Sequence, residues 1–274
     1  AKARFRAAAP QRTGSTIDPA EVARFDAIAR DWWDPKGPMA VLHKFNPVRL
    51  AYVRDEACAH FGRDPKTMRA LDGLSLVDIG CGGGVLSEPL SRLGAEVTGL
   101  DPAPTNIAVA RAHAEKSGLS IDYREETIEA VVESGKRFDI VLAMEVVEHV
   151  ADVGAFVAAC CAAVKPDGLL VMATLNRTLK SYALAIVGAE YVLRWLPKGT
   201  HDWEKFVTPA ELGGAIEGNG FTIGTQTGVV FNPLTGRWSA SRDPGWSRGR
   251  DGCLGCSVQD RRWSAPSRCC WSAG

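Results

Sequence analysis

A glycine-rich segment directly after a short apolar run constrains the fold of this chain more than any other feature. Residues 76–79 are predicted to form a buried strand, and the sequence DIGCGGG over residues 78–84 then opens a predicted helix. Glycines at such a turn permit positive φ angles and a close approach of the backbone to a ligand. In open α/β sheets, ligands bind beyond the carboxyl ends of the strands. The segment therefore predicts a ligand site at the glycines of this turn, which include Gly80 and Gly82.

Downstream of residue 75 the sequence alternates between strand patterns and helix patterns. Strands are predicted over 76–79, 96–100, 121–123, 138–144, 169–174 and 221–231, and helices over 84–93, 104–117, 153–164 and 209–216. Strands that are apolar throughout indicate a parallel sheet covered on both faces. Two further helices, over 17–33 and 47–61, are predicted ahead of this unit. We therefore expect an α/β fold that is Rossmann-like, with a mostly parallel sheet, helices on both faces and an N-terminal helical extension.

An acidic residue follows the second strand of the predicted sheet. Asp101 comes directly after the strand over 96–100, where a carboxylate can bind the two ribose hydroxyls of a nucleoside. NAD, FAD and S-adenosylmethionine all contain that ribose. The dinucleotide fingerprint requires a third glycine or alanine, and Val85 occupies that position here. A dinucleotide-dependent oxidoreductase is therefore a disfavoured alternative.

Three ionisable residues follow the strand over 138–144. Glu145, Glu148 and His149 have the spacing i, i+3 and i+4, which places them on one face if the segment turns helically. Their position at the carboxyl end of a central strand suits acid–base chemistry or a divalent metal. The alternative is a solvated helix start, in which acidic side chains interact favourably with the helix dipole.

At this point the chain resembles the ubiquinone-biosynthesis O-methyltransferases, which are class I enzymes dependent on S-adenosylmethionine. The D-x-G-x-G-x-G pattern resembles the first motif of Rossmann-like methyltransferases in general. The stretches that carry the closer resemblance are FDAIARDWWD (25–34), LHKFNPVRL (42–50), DIGCGGG (78–84), MEVVEHV (144–150), TLNR (174–177), VGAEYVLRWLPKGTHD (187–202), KFVTPAEL (205–212) and FNPLT (231–235). They extend from about residue 20 to residue 238. The NPVRL and GAEY…PKGTHD stretches are much more specific than the glycine motif.

The resemblance implies a set of cofactor contacts. Positions matching the family's cofactor contacts are Arg49, Gly80, Asp101 and Met144, and the motif acid is Asp78, with Gly82 in the same turn. Arg49 would pair with the carboxylate of S-adenosylmethionine. Asp78 would help hold its amino-acid part, and Met144 would lie against the adenine.

The resemblance also implies a catalytic and metal-binding role for the acidic cluster. Glu145, Glu148 and His149 match a magnesium site in some family members, and His149 with Glu145 are the expected catalytic residues. A phenol has a pKa near 10 and an ordinary histidine one near 6.5, so the proton transfer is uphill by about 5 kcal/mol. A divalent cation such as Mg²⁺ on the phenolic oxygen would lower that cost.

The substrates implied are polyprenyl catechols and demethylubiquinol. Residues 180–206 are expected to form a lid or a membrane-facing insertion, since they combine apolar residues with basic and aromatic ones. The enzyme would lie in the cytoplasm, peripherally on the inner membrane face, or in the mitochondrial matrix in a eukaryote. Other ubiquinone-pathway proteins are candidate partners, whereas a net charge of zero does not favour nucleic acid. Two alternatives stay open: another small-molecule methyltransferase dependent on the same cofactor, and an inactive lipid-binding or scaffold protein.

Both ends of the chain differ in composition from the domain over 17–238. Residues 1–16 are expected to be a disordered basic tail, although an acid-free start of this kind is also seen in organelle transit segments. Residues 17–70 are assigned to the N-terminal helices. Residues 239–274 depart from the family and are expected to be a disordered tail without zinc, despite their four cysteines. That tail has no apolar run suited to an interior strand, so we expect a vacant sheet position and poor stability.

Overall fold

Eight strands form one mixed sheet within the described part of the chain. The structure is a computed structural model that describes residues 16–174, 207–232, 235–241 and 253–260, with only the backbone described at 230, 231, 241 and 253–260. The strands are β1 Ser75–Ile79, β2 Glu96–Leu100, β3 Asp122–Arg124, β4 Phe138–Met144, β5 Val164–Thr174, β6 Phe221–Asn232, β7 Arg237–Ser241 and β8 Cys253–Asp260. Their order across the sheet is β3-β2-β1-β4-β5-β8-β6-β7. Strands β1 to β5 are parallel, and β8, β6 and β7 pair antiparallel.

Helices cover both faces of this sheet, as the apolar strands predict. The helices are α1 Pro19–Ala27, α2 Ala40–Phe61, α3 Ser87–Arg92, α4 Pro104–Lys116, α5 Ile128–Glu133, α6 Val153–Ala162 and α7 Pro209–Gly218. Alternate residues of β4 point to opposite faces. Val141 and Ala143 pack in the cluster with α5, α6 and α7, whereas Leu142 and Met144 pack in the cluster with α2 and α3. The α/β prediction, with a mostly parallel sheet and helices on both faces, is confirmed.

The register of the central strands aligns their carboxyl ends. Ile79 of β1 pairs with Leu100 of β2 and with Ala143 of β4. Consequently the residues that follow these strands meet at one edge of the sheet, where the glycine-rich turn, Asp101 and the end of β4 lie next to each other.

The N-terminal helices follow the predicted pattern only in part. Asp18 caps α1 by accepting a hydrogen bond from the Ala20 backbone N–H at 3.0 Å, and Pro19 occupies the first turn. The helix is interrupted by a short 3₁₀ turn at Ala29–Asp31 instead of running on to residue 33. The predicted start of the second helix at Pro47 is wrong, because α2 begins at Ala40 and contains this proline.

The tail contradicts the expectation of a vacant sheet position. Strand β8 lies between β5 and β6 and pairs antiparallel with both. Leu170 of β5 pairs with Val258, and Ile223 of β6 pairs with the same residue from the other side. An interior strand forms hydrogen bonds with backbone groups of both neighbouring strands. Each of these groups would cost about 1–3 kcal/mol if it were buried without a hydrogen-bond partner. The loss of stability expected from a vacant sheet position therefore does not arise in this structure.

Several predicted segments lie partly or wholly outside the described residues. The expected lid or membrane-facing insertion over 180–206 is among them, as are residues 1–15 of the basic tail. Thr16, which we placed in that tail, is buried and accepts a hydrogen bond from the Ala151 backbone N–H at 2.8 Å. No helix in the described ranges is both long and apolar enough to cross a bilayer.

Candidate cofactor and catalytic site

The glycine-rich turn after β1 adopts the conformation that its sequence predicts. Gly80 has φ +68° and Gly82 has φ +54°, both in the left-handed region. A Cβ on Gly80 would lie 2.6 Å from Val146 Cγ2, and one on Gly82 would lie 2.4 Å from Trp32 Cζ2. Side chains at either position would therefore be strained and would also collide with a neighbour. The glycines permit Trp32, from the N-terminal extension, to cover the turn.

Asp101 lies beside this turn in a network of hydrogen bonds. Its Oδ2 accepts from the Gly82 backbone N–H at 3.0 Å, and its Oδ1 accepts from the Ala103 backbone N–H at 2.9 Å and from Asn106 Nδ2 at 3.1 Å. Asn106 Oδ1 in turn accepts from the Trp32 indole N–H at 2.7 Å. Burial raises the pKa of Asp101 and outweighs these bonds, which lower it. The carboxylate is thus held rigidly against the turn.

Asp78 is a second buried acid, on β1. Its Oδ2 accepts a hydrogen bond from the Ser87 hydroxyl at 2.6 Å. Burial raises the pKa of Asp78 to about 6, while the Ser87 hydrogen bond and the charge of Arg49 oppose that shift. A positively charged group that binds next to this carboxyl would favour its ionised form.

Arg49 of α2 and Glu145 at the end of β4 face each other beneath the same edge. Arg49 Nε lies 3.3 Å from Glu145 Oε2, and both atoms are buried without a hydrogen bond. Burial raises the pKa of Glu145, and Arg49 opposes the shift. A buried guanidinium N–H without a hydrogen bond fits a cofactor carboxylate. Met144 precedes Glu145 and is buried in the core on the α2 face.

The expected helical face of Glu145, Glu148 and His149 does not form. Glu145 has φ +55°, which is uncommon for a residue other than glycine, and its backbone N–H still bonds Ala173 O of β5 at 3.2 Å. The chain then makes a 3₁₀ turn at Val147–His149 instead of an α-helix. The left-handed residue therefore breaks the i, i+3, i+4 arrangement.

The three side chains consequently have different surroundings. Glu145 faces Arg49, Glu148 is buried, and His149 Nδ1 lies 2.9 Å from Glu21 Oε2 of α1. In the described part of the chain, no group of three or more His, Cys, Asp or Glu side chains is placed to hold a metal ion. This arrangement does not fit the magnesium site that the resemblance implies.

The acids of this site and Arg49 were predicted from the sequence, whereas other residues that contact them were not. Four contributing residues were not predicted: Glu21, Trp32, Ser87 and Asn106. Glu21 and Trp32 lie within the helix predicted over residues 17–33, but no role in the site was predicted for either. Their contacts join residues 128 and 74 positions apart, and no local pattern signals such pairs.

Comparison with known proteins agrees with the fold. A family described as "Methyltransferase domain" matches residues 77–172. The magnesium protoporphyrin IX methyltransferase from Synechocystis PCC 6803, solved with bound SAH, superposes with a TM-score of 0.59 at 20% identity, over 87% of this chain and 95% of that one. At such identity the likeness shows the fold, which is that of a Rossmann-like methyltransferase.

Two relatives are far more similar in sequence. The ubiquinone biosynthesis O-methyltransferase of Methylobacterium nodulans is 69% identical over 86% of this chain and 94% of its own length. The protein of that name from Methylobacterium sp. strain 4-46 is 68% identical over 84% of this chain and 93% of its own. The chain is therefore an S-adenosylmethionine-dependent O-methyltransferase that belongs to the ubiquinone biosynthesis O-methyltransferase family.

Proposed function

We propose that this chain methylates a phenolic hydroxyl of polyprenyl catechols and of demethylubiquinol, with His149 as the proton acceptor. The observation that carries the proposal is the meeting of Asp101, Arg49 and His149 at one sheet edge in a chain 69% identical to a named ubiquinone biosynthesis O-methyltransferase. The groups proposed to bind the cofactor thus lie near the group proposed to accept the substrate proton.

Each part of the cofactor has a suitable group at this edge. Asp101 would bind the ribose hydroxyls, Arg49 the carboxylate, and Asp78 the amino group, with Met144 against the adenine. Gly80 and Gly82 would let the backbone approach it closely. When bound, S-adenosylmethionine supplies a methyl group on a positively charged sulfur, which an oxygen nucleophile can accept.

His149 would remove the proton of the hydroxyl that becomes methylated. The imidazole is partly exposed at the carboxyl end of β4, where a substrate in this fold class can reach it. A positioned histidine typically contributes a factor of about 10²–10⁴ to such a step. The charge of Glu145 would act at the same edge of the sheet. In this structure, Arg49 lies opposite Glu145 and balances that charge.

A divalent metal is the competing means of deprotonation. The resemblance assigns Mg²⁺ to Glu145, Glu148 and His149, whereas the described side chains do not gather as ligands. We therefore derive no step from a metal, and a chelator distinguishes the two cases.

Access to a membrane is a further part of the proposal. A polyprenyl substrate partitions into lipid, and residues 180–198 combine apolar positions with Lys180, Arg194 and Trp195. We propose that this segment docks on the surface of the inner membrane, near other enzymes of the pathway. Flotation with anionic liposomes tests the docking: the folded protein is expected in the lipid fraction, and its absence there contradicts the proposal.

The catalytic role is tested with His149→Gln and a short-chain polyprenyl catechol. We expect kcat to fall by about 10²–10³-fold, with an unchanged Kd for S-adenosylmethionine, because the histidine acts on the substrate proton. Wild-type turnover in excess EDTA should be unaffected. Loss of turnover with EDTA and its return with Mg²⁺ would instead support the metal, and an active His149→Gln would exclude His149 as the base.

A further inference from the structure

The N-terminal segment is attached directly beside the proposed proton acceptor. Ile17 forms an antiparallel bridge with Val150, and the Ala151 backbone N–H donates to Thr16 O at 2.8 Å. These contacts fix the chain that enters α1 against the loop carrying His149. As a result, the first turn of α1 lies over that loop.

Glu21 in this first turn contacts the histidine itself. Its Oε2 lies 2.9 Å from His149 Nδ1, and the two side chains are 13% and 18% exposed. The Phe25 ring, one turn further along α1, packs edge-on against the imidazole with centroids 5.1 Å apart and an interplanar angle of 83°. The ring of His149 is therefore held on one side by a carboxylate and on another by an aromatic ring.

We propose that Glu21 is a positioning residue that fixes the tautomer and orientation of His149. This inference rests on the proposed role of His149 as proton acceptor. In the neutral ring, only one nitrogen carries a proton, and a carboxylate next to Nδ1 favours the tautomer with the proton there. Nε2 is then the acceptor. The same carboxylate stabilises the imidazolium once it forms, as an acid behind a catalytic histidine generally does.

The proposed step transfers one proton and one methyl group. Nε2 of His149 takes the proton of the substrate hydroxyl. The hydroxyl oxygen then forms a bond to the methyl carbon as the sulfur–methyl bond breaks and its electron pair returns to sulfur. The imidazolium next to Glu21 afterwards releases its proton to water, so Glu21 stays ionised throughout.

Other charged groups lie near the pair. The guanidinium of Arg24, one turn along α1, contacts the Glu21 carboxylate. Glu145, at the end of β4, is close enough to interact electrostatically with His149, but its nearest charged partner is Arg49. Glu21 is thus the carboxylate in hydrogen-bonding distance of the ring in the described part of the site.

A double-mutant cycle tests this role. We expect Glu21→Gln to lower kcat by about tenfold to hundredfold in the wild-type background, with little change in KM for either substrate. In the His149→Gln background the same substitution should have no further effect, because Glu21 acts through the ring. Glu129→Gln is the matched control: its carboxylate accepts a hydrogen bond from Thr16 in the same N-terminal segment without facing His149. Equal losses from Glu21→Gln in both backgrounds would overturn the proposal.

A spectroscopic measurement keeps the test independent of activity and of the stability of any variant. Nitrogen-15 NMR of the histidine rings in the wild-type protein distinguishes the two neutral tautomers. We expect the Nδ1–H tautomer for His149 and its loss in Glu21→Gln. An Nε2–H tautomer in the wild type would contradict the inference. If methyl transfer itself is absent, the proposed function fails, while the tautomer still decides whether Glu21 orients the ring.

Discussion

Buried acids are the main electrostatic feature of the site at the scale of single residues. Burial raises the pKa of Asp78, Asp101 and Glu145, and Arg49 is the cation that opposes this shift at two of them. Burial of more acidic than basic side chains in one site lowers the stability of the cofactor-free protein. It is complementary to a cofactor that brings an ammonium and a sulfonium with a single carboxylate.

Substitution of Asp78 measures the free-energy cost of one of these buried acids. Its pKa is about 6 in the folded protein, above the ordinary value of 3.8. The folded state then binds the proton more tightly than the unfolded chain, so the free energy of unfolding falls as pH rises from about 4 to 6 and levels off above that. We expect Asp78→Asn to remove this loss and to stabilise the cofactor-free protein by about 2–3 kcal/mol at pH 7. Urea unfolding at pH 4.5 and pH 7 measures the difference.

Asp139 provides a control, because its pKa is shifted in the opposite direction. Burial raises its pKa, but hydrogen bonds from Ser75 and Lys165 outweigh that effect and lower the pKa below 3.8. Asp139→Asn is therefore expected to destabilise the protein at pH 7. An Asp78→Asn variant that is also less stable than wild type at pH 7 would refute the account of Asp78 as a destabilising buried charge.

At the scale of elements, the central strands were the most predictable part of the fold. The bounds of β2 and β4 agree with the sequence prediction to the residue. Both strands are buried over most of their length, and each ends directly before an acidic residue, Asp101 or Glu145. The positions of Asp101 and Glu145 were predictable for the same reason, since each residue comes directly after one of these strands.

Elements whose form depends on distant contacts were not predictable. The left-handed conformation of Glu145 is one example: its backbone N–H bonds Ala173 O of β5, and its side chain faces Arg49 of α2. Strand β8 was missed because an interior position was expected to require a longer apolar run. In the structure, main-chain pairing on both sides defines β8.

The pairing of β8 leads to a prediction for Val258. This residue is paired with Leu170 on one side and Ile223 on the other. Val258→Pro removes a backbone donor inside the sheet, so we expect a loss of about 2–4 kcal/mol and a melting temperature lower by about 5–10 °C. Val258→Ala keeps the backbone N–H and is the control. If Val258→Pro melts like the control, β8 does not occupy this interior position in solution.

At the scale of the whole molecule, the N-terminal extension completes the site on the sheet edge. Trp32 covers the glycine turn and reaches Asp101 through Asn106, while Glu21 contacts His149. The sheet thus supplies the acids proposed to bind the cofactor, and the extension supplies groups that contact Asp101, through Asn106, and the proposed base. Removal of the extension would therefore affect cofactor binding and proton transfer together.

The central claim is that this edge of the sheet directs a methyl group from S-adenosylmethionine to a catechol oxygen. The most direct measurement is carbon-13 NMR of the product formed from cofactor labelled in the methyl group and a short-chain polyprenyl catechol. We expect the label in an aryl O-methyl group. Asp101→Ala, which should weaken cofactor binding by about 2–4 kcal/mol, should form that product only at much higher cofactor concentration. Label on carbon, no transfer by the folded wild-type protein, or an unchanged cofactor requirement in Asp101→Ala would contradict the account.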